Sequence, residues 1–100
     1  MTNIVFSQQQ IGDLLRPIFD EYHVHRAVLF GSYAKGCATE KSDVDILVDS
    51  GLIGLSFFGL LEDVVTKLNK SVDLIDTSQV IPGSTVDSEI KATGVVIYEW

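Results

Sequence analysis

Two short apolar runs, Ala-Val-Leu-Phe at 27–30 and Ile-Leu-Val at 46–48, bracket a polar stretch that begins Gly31-Ser32 and ends Ser42-Asp43-Val44-Asp45. The pattern predicts a strand, a tight turn with a short helix, a loop and a second strand. On that second strand the side-chain period of two sends Asp43, Asp45, Leu47 and Asp49 to one face and Val44, Ile46 and Val48 to the other. Asp43 and Asp45 are therefore neighbours, about 6.6 Å apart along the backbone at about 3.3 Å per residue. Aspartate is a poor strand former, so local propensity does not account for the pair. Like charges this close on a half-buried strand repel, which raises a pKa or calls for a cation. A divalent ion answers the repulsion.

Gly31-Ser32 supplies a second element of chemistry. A glycine directly after a strand lets backbone N–H groups turn toward a ligand, and the Ser32-Tyr33-Ala34-Lys35 that follows can open a helix whose positive end favours phosphate. A phosphate cradle beside paired carboxylates points to a metal-bound nucleotide.

The rest of the chain reads as elements that hold this stretch. Ser7 with Gln10 forms a capping-box pattern ahead of Ile11, Leu14, Leu15, Ile18, Phe19 and Tyr22 at helical spacing. Pro17 inside this helix predicts a kink, or a start later than Ser7. His23-Val24-His25 reads as a half-exposed loop and not as a metal site. Beyond Gly51 and Gly54, the residues Phe57, Phe58, Leu61, Val64, Val65 and Leu68 form an apolar helical stripe expected in the core. Asn69-Lys70-Ser71 ends that helix, and a short strand at 72–76 carries Asp73 and Asp76 on opposite faces. Only one of these two can join the pair on the preceding strand, and Asp76 suits a capping role at Thr77-Ser78. Ser84 caps a last helix, Asp87 favours its dipole, Val86 and Ile90 give it a thin apolar stripe, Gly94 stops it, and 95–98 is the final strand. Strands separated by helices predict an α/β (α+β) arrangement, a small mixed central sheet flanked by helices.

The ordered set of Gly31-Ser32, Asp43-x-Asp45 and Asp73 in Val72-Asp73-Leu74-Ile75, each in its strand context, resembles the nucleotidyltransferase superfamily of DNA polymerase beta. Within it the chain looks most like the small minimal nucleotidyltransferase (MNT) proteins, and the likeness runs from the helix before Phe30 to Tyr98. A bare Gly-Ser or Asp-x-Asp is unspecific; the ordered set is not. The family often carries arginines in the turn, whereas this chain has Tyr33 and Lys35, and a lysine is a point charge with no bidentate fork.

The resemblance implies transfer of a nucleoside monophosphate, AMP from ATP, with release of pyrophosphate. It implies Asp43, Asp45 and Asp73 as catalytic carboxylates and ligands of two Mg²⁺ ions, with Asp73 as ligand, base or both. It also implies Gly31, Ser32, Lys35 and Ser42 on the phosphates, with Lys41 a further exposed lysine within reach. The acceptor it implies is a hydroxyl of a partner protein, a small helical ribonuclease toxin of the HEPN type, for which the MNT protein is the antitoxin. Two alternatives are an antitoxin that neutralises its partner by contact alone, and a transferase acting on a small molecule such as an antibiotic.

Size and charge narrow the field. One hundred residues, 46% of them apolar, predict a single domain over 1–100 with one compact core and no room for a separate acceptor-holding domain, which disfavours the antibiotic alternative. Seven basic against fourteen acidic residues give a net charge of −7, which opposes direct nucleic-acid binding and suits a basic protein partner in a homo- or hetero-oligomer. The lone Cys37, with neither an export signal nor an apolar run of membrane-spanning length, predicts a cytoplasmic protein with no membrane association. Trp100 is expected either to fold back on the core or to anchor a partner.

Overall fold

The structure is a computed structural model that describes residues 4–100. Helix α1 (Gln8–Glu21) starts from the predicted capping box, with the Ser7 side chain accepting from the Gln10 amide and the Gln10 side chain accepting from the Ser7 amide. It runs through Pro17 as one helix, so the alternative of a later start does not hold. Pro17 and Asp13 both lie on its exposed side, where the carbonyl that proline leaves unpaired is open to water. Strand β1 (Arg26–Phe30) leads into the short helix α2 (Gly31–Lys35), and strand β2 (Val44–Asp49) follows a loop. Helix α3 (Leu55–Leu68), strand β3 (Val72–Asp76), a single 3₁₀ turn (Thr77–Gln79), helix α4 (Thr85–Thr93) and strand β4 (Val95–Glu99) complete the order.

The strands form one mixed sheet in the order β3-β2-β1-β4. β1 pairs antiparallel with β2 and with β4, while β2 and β3 run parallel. A parallel pair needs a crossover, and α3 provides it. The expected mixed sheet with flanking helices is therefore what forms.

Alternation on the strands divides the sheet into two unlike faces. Ala27, Leu29, Val44, Ile46 and Val48 point to one side and are fully buried against Ile11, Leu15 and Phe19 of α1 and Leu60, Val64 and Leu68 of α3. Each Val, Leu, Ile and Phe among them contributes about 1.5–3 kcal/mol relative to exposure. The helices are tied together by the Tyr22 hydroxyl, which donates to the Asp63 carboxylate at 2.7 Å, and α1 is tied to β4 by the Tyr98 hydroxyl on Asp20. Gly12 lets α1 approach β4: a Cβ there would lie 2.9 Å from the Ile97 carbonyl oxygen.

The other face is covered only in part. Helix α4 lies over it, close enough at its end that a Cβ on Gly94 would meet Ile90 O at 2.4 Å and Val28 Cγ1 at 2.9 Å. Gly94 does stop α4, but at φ −61 the need is close approach and not a left-handed turn. The stripe expected on α3 needs a correction. Phe58 is 64% exposed and Leu60, absent from that stripe, is fully buried. The sheet sees α3 through 57, 60, 64 and 68, and Phe58, about 100° round from Phe57, turns outward. Trp100 stays 80% exposed, its amide donating to the His25 carbonyl at 3.0 Å and its ring 6.0 Å from the imidazole. No described helix is long and apolar enough to cross a membrane.

Candidate active site

The part-covered face is where the acidic residues gather. β1 hands the chain to α2 through Gly31 at φ +70, a conformation that costs a side chain about 1–2 kcal/mol. Space demands glycine there as well, since a Cβ would lie 2.1 Å from Asp45 Oδ2. The backbone of the turn is thus laid against the Asp45 carboxylate. Ser32, next in line, is half-buried; its carbonyl accepts the Cys37 amide at 3.1 Å and its hydroxyl makes no hydrogen bond among the described residues.

Parallel pairing of β2 with β3 sets Asp45 directly opposite Asp73. Burial, then the charge of Asp73 and a carboxyl–carboxyl hydrogen bond with it, then Asp43 and Glu89, push the Asp45 pKa up to about 6. Asp43 is exposed, one residue before β2, and its charge is felt at Asp45. Among the described residues no three His, Cys, Asp or Glu side chains already converge on a metal position. What is assembled is a pair, Asp45 and Asp73, with Asp43 at its edge.

The other predicted contacts fall in two groups. Lys35 ends α2 and reaches across to α4, with Nζ 3.2 Å from Glu89 Oε1. Ser42 is spent on its own loop: its hydroxyl accepts the Thr39 amide at 2.9 Å, and its amide donates to the Thr39 carbonyl at 3.0 Å. That turn sets the entry of Asp43 into β2, while Lys41 is exposed beside it. Glu89 is a neighbour of this group that the sequence does not reveal. Nothing in the spacing of α4 marks it, because its relation to Asp45 and Lys35 arises only when α4 folds over the sheet.

Asp76, on the same strand as Asp73 but on the opposite face, does cap the following turn. Its buried carboxylate accepts from Ser50 N and Oγ at 3.1 and 2.6 Å and from Ser78 N and Oγ at 3.0 and 2.7 Å. Farther along the open face, a cavity of about 220 Å³ is lined by Leu47, Val80, Pro82 and Ile90. A larger groove of about 440 Å³ lies away from the carboxylates, between the segment around Phe6 and α2, and Tyr33 beneath it keeps a buried hydroxyl without a hydrogen bond. The exposed His23 and His25 flank the buried Val24, in keeping with an ordinary loop.

Set beside known proteins, the chain matches the family model described as polymerase beta, nucleotidyltransferase, over residues 14–100. It is 39% identical over 72 residues to the putative protein adenylyltransferase MJ0128 of Methanocaldococcus jannaschii, a match covering 66% of this chain and 74% of that protein. Among solved structures it resembles a toxin–antitoxin complex with AMP-PNP, at TM-score 0.73 and 23% identity, over 89% of this chain and 73% of the other; that likeness is one of fold. A mutant of the toxin–antitoxin pair MntA–HpeT superposes at TM-score 0.67 with 27% identity, over 96% and 75% of the two chains.

Proposed function

Since the chain belongs to the polymerase beta nucleotidyltransferase family, we propose that it transfers AMP from ATP to a hydroxyl of a partner protein, and that this partner is a small helical HEPN-type ribonuclease toxin. The observation that carries this reading is the Asp45–Asp73 pair set against the Gly31 turn. A repelling carboxylate pair beside a turn with no room for a side chain is of little use to stability. It suits a site where cations and phosphates meet. The name of the relative MJ0128 supports adenylyl transfer to protein, and the likeness to MntA–HpeT supports a toxin as the partner.

The donor set fits Mg²⁺, a hard cation that takes carboxylate oxygens and retains several waters. Asp43, Asp45 and Asp73 would hold it, two ions being the family's complement, and bound there it would neutralise charge around the α-phosphorus. The chain's own residues do the rest. The Gly31 backbone and the Ser32 hydroxyl grip phosphate oxygens, Lys35 offers a point charge, and the Thr39–Ser42 turn fixes the approach of Asp43. The acceptor oxygen bonds to the α-phosphorus, pyrophosphate leaves, and the Asp73 carboxylate takes the hydroxyl proton. A net charge of −7 favours a basic protein acceptor over a nucleic acid.

The test is to incubate the protein with each triphosphate, Mg²⁺ and its toxin partner and to weigh the partner. An increment of one AMP, obtained with ATP and lost in Asp73→Asn, is the expected result. A second reading, neutralisation by contact, draws on the outward apolar residues Ile53, Leu55 and Phe58, at 83%, 88% and 64% exposure. If Asp73→Asn still disarms the toxin in cells, contact is the mechanism and transfer is not.

A further inference from the structure

The ion pair between Lys35 and Glu89 joins α2 to α4 at the edge of the carboxylate face, with Nζ and Oε1 3.2 Å apart and the side chains 46% and 31% exposed. Its place matters more than its strength. Lys35 ends the same short helix that Gly31 begins, and Gly31 lies against Asp45. Glu89 is the middle residue of α4, whose end close packing at Gly94 fastens to Val28 on this same face. The charge of Glu89 is felt at Asp45 beside those of Asp73 and Asp43. A fourth carboxylate near a triphosphate site works against an anionic ligand, yet this one holds the nearby ammonium. A half-exposed pair of this kind is weak and readily exchanged for a stronger anion.

We propose that Glu89 is the resting partner of Lys35: it holds the ammonium at the rim of the site until a triphosphate arrives, and Lys35 then exchanges Glu89 for phosphate. The inference rests on the nucleotide reading above and adds to it the partner exchange and the role of α4. Glu89 tethers a flexible side chain where phosphate will be, and it also competes with that phosphate. Removing its charge while keeping its shape therefore tightens triphosphate binding, and does so through Lys35.

A double-mutant cycle by titration calorimetry tests this, with Mg²⁺-ATP and with inorganic tripolyphosphate as the two probes. Glu89→Gln is expected to tighten both probes by roughly 2–5-fold, and Lys35→Met to weaken both by a similar factor. Glu89→Gln in the Lys35→Met background is expected to change affinity less than about twofold, because the exchange has lost its cation. Labelling of the Lys35 amine by acetic anhydride, read by mass spectrometry, should fall when either probe is bound. Equal tightening in both backgrounds would mean that Glu89 acts only through its field, and overturns the exchange. So would a lowered melting temperature with unchanged affinity, which marks a structural clasp, or a Lys35 label indifferent to the probes. If the cycle behaves as expected and no AMP reaches a partner, the transfer reading alone falls. If the wild-type protein binds neither probe, both fall.

Discussion

Asp73 and Asp76 stand on one strand, three residues apart, and the two faces of the sheet treat them in opposite ways. Burial works against the charge of Asp76, but hydrogen bonds from Ser50 and Ser78 outweigh it and hold its pKa below the ordinary carboxylate value. Asp73 instead faces Asp45 across the parallel pair, and burial with like charge drives the Asp45 pKa up to about 6. One face has used a carboxylate to stitch the end of β3 to the residue after β2. The other has set Asp45 against Asp73 with no other hydrogen-bond donor to either carboxylate among the described residues. The same residue type is thus satisfied by four donors at one end of β3 and set against a like charge at the other.

The largest effect expected separates the faces by activity. Asp73→Asn should lower transfer roughly 10²–10⁴-fold, the range for loss of a general base, while leaving the melting temperature unchanged or slightly raised. A clear loss of stability without ligand would make Asp73 structural and erase the contrast with Asp76.

Asp76→Ala comes next and should act on stability alone. It leaves the Ser50 and Ser78 donors without their acceptor, and denaturant unfolding should show a loss of about 2–4 kcal/mol. Adenylyl transfer at a temperature where the variant is folded should be near that of the wild type.

The third test uses pH, in the metal-free protein. Asp45 has a folded pKa of about 6 against an unfolded value of about 4, so its protonated form is favoured by folding. Its stabilising share is present below about pH 4 and lost as pH rises toward 6. Relative to Asp45→Asn, the wild type should lose about 1–2 kcal/mol over that window, after allowance for solvent screening. Asp76 has the opposite sign: its contribution is present above its unfolded pKa and lost as pH falls. A wild type and Asp45→Asn with parallel pH–stability curves would remove the repulsion from the account.

The smallest effect sharpens the satisfied side. Ser50→Ala deletes the 2.6 Å bond to Asp76 but retains the Ser50 amide, and should cost about 1 kcal/mol. It should also move the acid-unfolding midpoint to higher pH, because the Asp76 pKa then rises toward its ordinary value. An unmoved midpoint would mean that Ser78 and the Ser50 amide alone hold Asp76 ionised.

Local pattern made much of this legible. Period-two alternation put Asp45 and Leu47 on one face of β2, with Asp43 just before its start, and Ser7-Gln10 and Ser84 marked helix starts that the structure reproduces. These signals act within a few residues, and neighbouring side chains compete with them little. The α3 stripe was less secure. With Phe57, Phe58, Leu60 and Leu61 adjacent, the helical period admits several apolar faces, and only the position of the sheet selects the one that buries Leu60 and exposes Phe58.

By itself, then, the chain determined which residues share a face, where most elements begin and end, and that Asp73 and Asp76 point apart, because each follows from backbone geometry over short spans. Tertiary structure decided the rest. The register of the parallel pair places Asp73 opposite Asp45, the approach of Gly31 to that carboxylate leaves no room for a Cβ, and the packing of α4 brings Glu89 to Lys35. Each of these contacts joins residues far apart in sequence. Electrostatics and close packing act through space, so no spacing along the chain could have announced them.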